Sequence, residues 1–234
     1  MRVLVVSDIH GNTEALRAVA TAAGPVDRIV CLGDTVDYGP RPVETVRWIM
    51  QYAESSVRGN HDNAVAFDAP CRSAPAFRRL SEESRKLTVP MLGEGERAFL
   101  AGLPETAEIE VGGLRLALVH AAPSDPLFRY LRPSDVEAWR REVEPIDADL
   151  ILVGHTHLPM VLDLGNKLVV NPGSVGLPRD GDPRAAYAIL DGRTPRLGRV
   201  AYDVDATVRD LKAWGLPDDV QQGLEGVYRT GSLG

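Results

Sequence analysis

Short runs of Val, Ile and Leu, each closed by a cluster of polar residues and separated by segments of helical period, constrain this chain to an α/β architecture. Residues 2–6 read as a buried strand, and residues 13–23 as a helix with Leu16, Val19, Ala20 and Ala23 on one face. A strand over 28–32 ends at Gly33-Asp34, and a helix over about 43–53 follows the breaks at Pro40 and Pro42. A third short strand, 55–58, runs into Gly59-Asn60-His61-Asp62, and a helical insertion is predicted over about 74–103. The second half opens with a hairpin, 108–111 and 114–119, turned by Gly112-Gly113 and ending at His120. Strands over 149–153, 160–164, 167–170 and 186–190 follow, increasingly antiparallel in character. Two helix-period stretches between 206 and 229 are split by Gly215 and Pro217. The expected organisation is one domain, 1–205, with 206–234 as its C-terminal helical appendage.

Composition narrows the function classes. In 234 residues, 44% hydrophobic content supplies a continuous core, and a net charge of −7 argues against a surface built to bind nucleic acid non-specifically. The start of the chain lacks the pattern of a signal peptide, and no apolar run approaches the ~20 residues of a membrane span. Cys31 and Cys71 form neither a CxxC pair nor a disulfide framework, so a cytoplasmic protein with no membrane partner is expected. There is no GxxxxGK[ST] phosphate loop, and Gly173-Ser174-Val175-Gly176 does not match a GxSxG nucleophile elbow.

All five histidines, His10, His61, His120, His155 and His157, fall just after an apolar strand, and Asp8, Asp34 and Asn60 share that placement. Strand ends line the ligand crevice of open α/β sheets. Side chains two apart on a strand face the same way, so Asp8 with His10, and His155 with His157, are each expected to converge if strand geometry persists. Imidazoles mixed with carboxylate and amide oxygens suit first-row divalent ions such as Mn, Fe, Co, Ni or Zn. Cys31 reads as core packing, Asn171 and Ser174 as turn residues, and Tyr38 and Arg179 as either substrate contacts or solvated loop.

The ordered set Asp8-Ile9-His10, Gly33-Asp34, Gly59-Asn60-His61-Asp62, His120 and Gly154-His155-Thr156-His157 resembles the calcineurin-like metallophosphoesterases. The segment Asn171-Pro172-Gly173-Ser174-Val175-Gly176 is similar to their small prokaryotic phosphodiesterase-like branch, whereas Ala121-Ala122 departs from the family's more usual glycine-serine pair. The resemblance implies a four-layer αββα sandwich of two mixed sheets flanked by helices. It also implies two divalent transition-metal ions, manganese foremost, with one on Asp8, His10, Asp34 and His157 and the other on Asp34, Asn60, His120 and His155, Asp34 bridging. His61 then touches phosphate or protonates the leaving oxygen, Asn60 lies beside the substrate, and Asp62 orients His61. The implied reaction is in-line attack on a small phosphate ester, a phosphodiester foremost, by a metal-bound hydroxide. A phosphomonoester, dinucleotide polyphosphate or phosphoprotein substrate is compatible with the same motifs, as is a metal-retaining interaction module. The oligomeric state is left open.

Overall fold

The computed structural model describes residues 1–233. Its first half runs β1 (Arg2–Val6), α1 (Thr13–Ala23), β2 (Arg28–Cys31), α2 (Pro42–Tyr52), β3 (Ser55–Ser56), α3 (Asn60–Phe67), α4 (Pro75–Met91) and α5 (Glu94–Gly102). The hairpin β4 (Thr106–Val111) and β5 (Leu114–Val119) follows, then α6 (Val136–Val143), β6 (Leu150–Leu152), β7 (Met160–Asp163) and β8 (Leu168–Asn171). The chain closes with β9 (Ala185–Asp191), β10 (Thr194–Val200), α7 (Val204–Ala213) and α8 (Asp218–Thr230).

The strands form two five-stranded mixed sheets, ordered β10-β9-β1-β2-β3 and β4-β5-β6-β8-β7. Alternation along each strand sorts its side chains between layers. Val3, Val5, Val30 and Leu32 of the first sheet's segments face Leu116, Leu118, Leu150 and Leu152 of the second in one core. The other face of the first sheet packs Leu4, Val6 and Ile189 beneath Leu16 and Val19 of α1 and Ile49 of α2. On the second sheet, Ile151, Val153 and Val169 pack beneath Trp139 and Val143 of α6. The result is the expected helix–sheet–sheet–helix sandwich, in which each fully buried Val, Leu or Ile contributes roughly 1.5–3 kcal/mol.

Local differences have physical causes. The 74–103 insertion is two helices, broken where Leu92 leaves helical geometry and Gly93 begins the next cap. The Gly112-Gly113 turn takes positive φ at both residues, as a two-residue hairpin requires. Three further elements, α3, α6 and β10, lie where no element was expected. β10 holds through its antiparallel ladder to β9, Gly198 opposite Tyr187, while most of its side chains remain accessible. α7 and α8 bury Leu211, Leu224 and Val227 in a cluster shared with Phe77 of α4 and with Tyr38. Among the described residues, no helix is long and apolar enough to cross a membrane.

Candidate metal centre

The sheets present one pair of polar edges together, and the expected residues meet there. Asp8 and His10 follow β1, Asp34 follows β2, His120 follows β5, and His155 and His157 follow β6. Strand geometry does not bring them together. β1 ends at Val6 and β6 at Leu152, and seven of the nine left-handed non-glycine residues lie around this site: Asp8, His10, Asp34, Asp37, Tyr38, His155 and His157. Each such residue costs on the order of 1–3 kcal/mol, so the surrounding structure must enforce it. The Asp8 loop is held by its own amides, with Ile9 N donating to Asp34 O at 2.8 Å and His10 N to the same oxygen at 3.0 Å. From the other side, Ser174 Oγ donates to Asp8 O at 2.8 Å and Gly176 N to the same carbonyl at 3.0 Å. A Cβ at Gly59 would stand 2.1 Å from Asp34 Oδ1, so only glycine lets α3 approach that carboxylate.

Three imidazoles are oriented by backbone carbonyls. His10 Nδ1 donates to Val36 O at 2.8 Å, His120 Nδ1 donates to Leu32 O at 2.7 Å, and His157 Nδ1 donates to Leu177 O. Their Nε2 atoms therefore face inward. Asp8 Oδ1 lies 3.1 Å from His157 Nε2 and 4.0 Å from His10 Nε2, while the two Nε2 atoms stand 3.4 Å apart. Burial lowers the pKa of both rings, so these are lone pairs directed at lone pairs and at a buried carboxylate oxygen without a hydrogen-bond donor. Such a cluster fits a divalent cation. Burial opposes charge at His120 as well, but Asp34 Oδ2, 3.3 Å from its Nε2, raises that pKa to about 9. The carboxylate thus demands positive charge there, which a cation provides. Asp34 is itself held well below its ordinary pKa, the His120 and His61 rings outweighing burial.

Two donor groups emerge, Asp8-His10-His157 and Asp8-Asp34-His120. Asn60 Oδ1 lies 3.1 Å from His120 Nε2 and 3.0 Å from His155 Nδ1, placing the remaining two expected ligands beside the second group.

His61 occupies the wall of this cradle. Its Nδ1 donates to Asp37 Oδ2 at 2.8 Å, and Arg85 on α4 also pairs with that carboxylate, its Nε at 3.0 Å. Burial opposes protonation of His61, but Asp34 and Asp37 together raise its pKa. Asp62 does not orient this ring as expected. Its carboxylate instead accepts from Asp34 N at 2.7 Å, Thr35 N at 2.8 Å and Gly59 N at 3.0 Å, because the first turn of α3 directs it at the amides left free there. Asp62 fastens the Asp34 loop to α3, and Asp37 holds His61.

Tyr38 is fully buried and packs edge-on against His10, with ring centroids 4.8 Å apart, so it backs the cradle instead of forming a solvated loop. Asn171 braces the His155 loop through Nδ2 to Gly154 O at 2.8 Å and Thr156 Oγ1 at 3.1 Å, while its Oδ1 accepts from Gly173 N as the turn reading expects. Cys31 lies in the core.

A pocket of about 180 Å³ opens on Asp34, Asn60, His61, His155 and His157. Arg72, Phe128, Tyr130 and Arg179 also line it, and of these only Arg179 was singled out in the sequence. Asp37 and Arg85 were not legible either, since an acid in a Gly-Pro loop and a base in a charged helix carry no distinguishing pattern.

A carboxylate–imidazole cradle shared by two stacked mixed sheets defines the metallophosphoesterase class, hydrolases of phosphoric esters that use divalent metals. The chain belongs to the calcineurin-like phosphoesterase superfamily, whose domain model matches residues 1–194. It is 34% identical to the uncharacterized protein MJ0912 of Methanocaldococcus jannaschii, over 92% of this chain and 94% of that protein. Phosphodiesterase YfcE of Escherichia coli K12 is 26% identical over 82% of this chain and 88% of its own length. Among solved structures, a metallophosphoesterase from Sphaerobacter thermophilus superposes with a TM-score of 0.81 at 32% identity, covering 97% of this chain and 98% of that one.

Proposed function

We propose that this protein is a phosphodiesterase with a dinuclear metal centre, acting in the cytoplasm on a small phosphodiester. One observation carries the dinuclear reading. Asp34 Oδ2 lies 3.8 Å from His10 Nε2 and 3.3 Å from His120 Nε2, so a single oxygen faces one imidazole of each donor group. Asp8, His10, Asp34 and His157 would hold one ion, and Asp34, Asn60, His120 and His155 the other, with manganese the expected metal. Similarity to a relative named a phosphodiesterase supports the diester preference, and two free, buried cysteines suit a reducing compartment. Residues 1–205 are read as the catalytic domain, with the helices of 206–234 as its appendage.

Bound divalent ions supply charge stabilisation of the phosphoryl oxygens and acidify the attacking water. The chain's own residues do the rest. His61, its Nδ1 proton fixed on Asp37, lines the pocket and is read as the donor, through Nε2, to the leaving oxygen. Arg85 pairs with the same Asp37 oxygen and holds that carboxylate in place against His61. Asp62, Asn171 and Ser174 hold the ligand loops in their left-handed conformations.

The test is metal quantification of the purified protein beside hydrolysis of bis(p-nitrophenyl) phosphate and p-nitrophenyl phosphate in manganese. Two ions per chain and faster diester turnover are expected. A single ion at saturation would remove the dinuclear reading, and faster monoester turnover would remove the diester preference.

A further inference from the structure

Of the charged side chains lining the pocket, two arginines stand apart from the cradle. Arg72 and Arg179 form no ion pair and no hydrogen bond with any described residue, unlike Arg85, which is committed to Asp37. Each guanidinium carbon instead lies over an aromatic ring. The Arg72 guanidinium lies 4.4 Å from the Phe128 centroid, and that of Arg179 lies 3.9 Å from Phe77 and 6.0 Å from Tyr38. Aromatic stacking positions a guanidinium and leaves its in-plane N–H donors free for an anion.

Arg179 is the stronger case. Its Nε is buried without an acceptor, a state that folded proteins rarely tolerate without a reason. Nearby acids cannot satisfy it. Asp180, its neighbour in the chain, is paired with Arg199, and Asp182 is paired with Arg184. A chain with 33 acidic residues against 26 basic ones has thus kept two guanidinium groups free at the mouth of one pocket. The cradle supplies its own positive charge once loaded, so the scissile phosphoryl group does not by itself account for both.

Building on the phosphoesterase reading, we infer that Arg72 and Arg179 form a clamp for a second phosphoryl group, so that preferred substrates carry one beside the phosphorus being attacked. Arginine is suited to this because its planar fork meets phosphate oxygens with two parallel hydrogen bonds. The space agrees with the chemistry. The pocket of about 180 Å³ has both arginines and His61 on its wall, so a phosphoryl group beside the attacked one would lie within their reach. Arg72 and Arg179 are then specificity determinants for the reaction the cradle performs.

The experiment uses the manganese-loaded protein, with bis(p-nitrophenyl) phosphate as reporter and AMP and ADP as competing ligands. Their dissociation constants are also measured directly by calorimetry. ADP is expected to bind about tenfold or more tightly than AMP, the scale of one charge-assisted contact. In R72A and R179M that advantage should fall to about threefold or less, and R179K should recover part of it. Arg72 is exposed, so its variant tests the clamp without disturbing the Phe77 packing that Arg179 joins. Metal stripping by ADP would affect wild type and variants alike, so an ADP advantage that persists in both variants overturns the clamp. Equal affinities for AMP and ADP in the wild type, with diester turnover intact, also overturn it and leave the phosphoesterase reading standing. Absence of metal-dependent turnover on any ester would instead count against that reading, and the calorimetric comparison would still decide the clamp.

Discussion

The loops of the first sheet carry both carboxylates, Asp8 and Asp34, together with His10 and, through α3, Asn60 and His61, whereas the second sheet delivers only imidazoles, His120, His155 and His157. Both donor groups cross the boundary. The first sheet's share alone is two buried carboxylates in close approach, and the second's is a set of bases with no anion to draw a cation. The convergence of these donors therefore depends on the two sheets being docked in register, and core packing between them supports the cradle.

The largest expected effect comes from breaking the first sheet's contribution. Asp34→Asn should lower kcat/KM by about 10⁴-fold, because several kcal/mol of charge stabilisation depend on a carboxylate facing both groups. Metal content measured on the same variant should fall at both sites, and full occupancy with intact turnover would show that the second sheet's histidines suffice. His61→Ala sharpens the contrast, since this first-sheet histidine makes no contact with the second sheet's donors. It should keep both ions and lose about 10²–10⁴-fold in kcat on alkyl esters, with a smaller loss on p-nitrophenyl esters whose leaving group departs without a proton. Equal losses on the two ester types would make His61 a phosphate contact and not an acid.

Asp37→Asn should cost less, about 10–10²-fold in kcat, since it removes the partner that orients His61 and leaves the cradle's donors in place. An effect confined to KM would argue against orientation of a proton donor. The smallest change is expected on the second sheet's side. Asn171→Ala removes two buried hydrogen bonds to the His155 loop, and unfolding by denaturant should show a loss of about 1–3 kcal/mol, larger in the presence of metal than after chelation. Equal losses under both conditions would mean that Asn171 supports the fold without supporting the site.

The α/β alternation and the polar strand ends were legible because both follow from apolar runs and what ends them, whereas the four layers were implied only by the family resemblance of the motifs. Asp8, His10, Asp34, Asn60, His120, His155 and His157 could be read from position alone, and they do converge. The means of convergence could not, because strand periodicity says nothing of the left-handed turns at Asp8 or His157. α3 escaped notice because its eight residues, Asn60 to Phe67, show little separation of apolar and polar faces, and α6 because its separated faces extend over only the eight residues Val136 to Val143. The strand Thr194–Val200 contains Pro195 and Gly198, and its backbone pairing, not its side chains, keeps it in the sheet. Asp37 and Arg85 reach His61 from separate elements, a relation that exists only in three dimensions.

The position of β1 in its sheet also sets a timetable for the molecule's assembly. β1 is a central strand made well before one of its two neighbours, and its antiparallel edge remains open until β9 is made, with Arg2 opposite Asp191 and Val5 opposite Ala188. The strap that closes over Asp8 belongs to the same late stretch, Ser174 to Gly176. Every expected ligand is synthesised by residue 157, yet the strap over Asp8 and the β9 partner of β1 follow only at residues 174–191. Such long-range pairing folds slowly and exposes an apolar strand edge in the meantime, so the nascent chain depends on shielding for as long as β1 waits for β9.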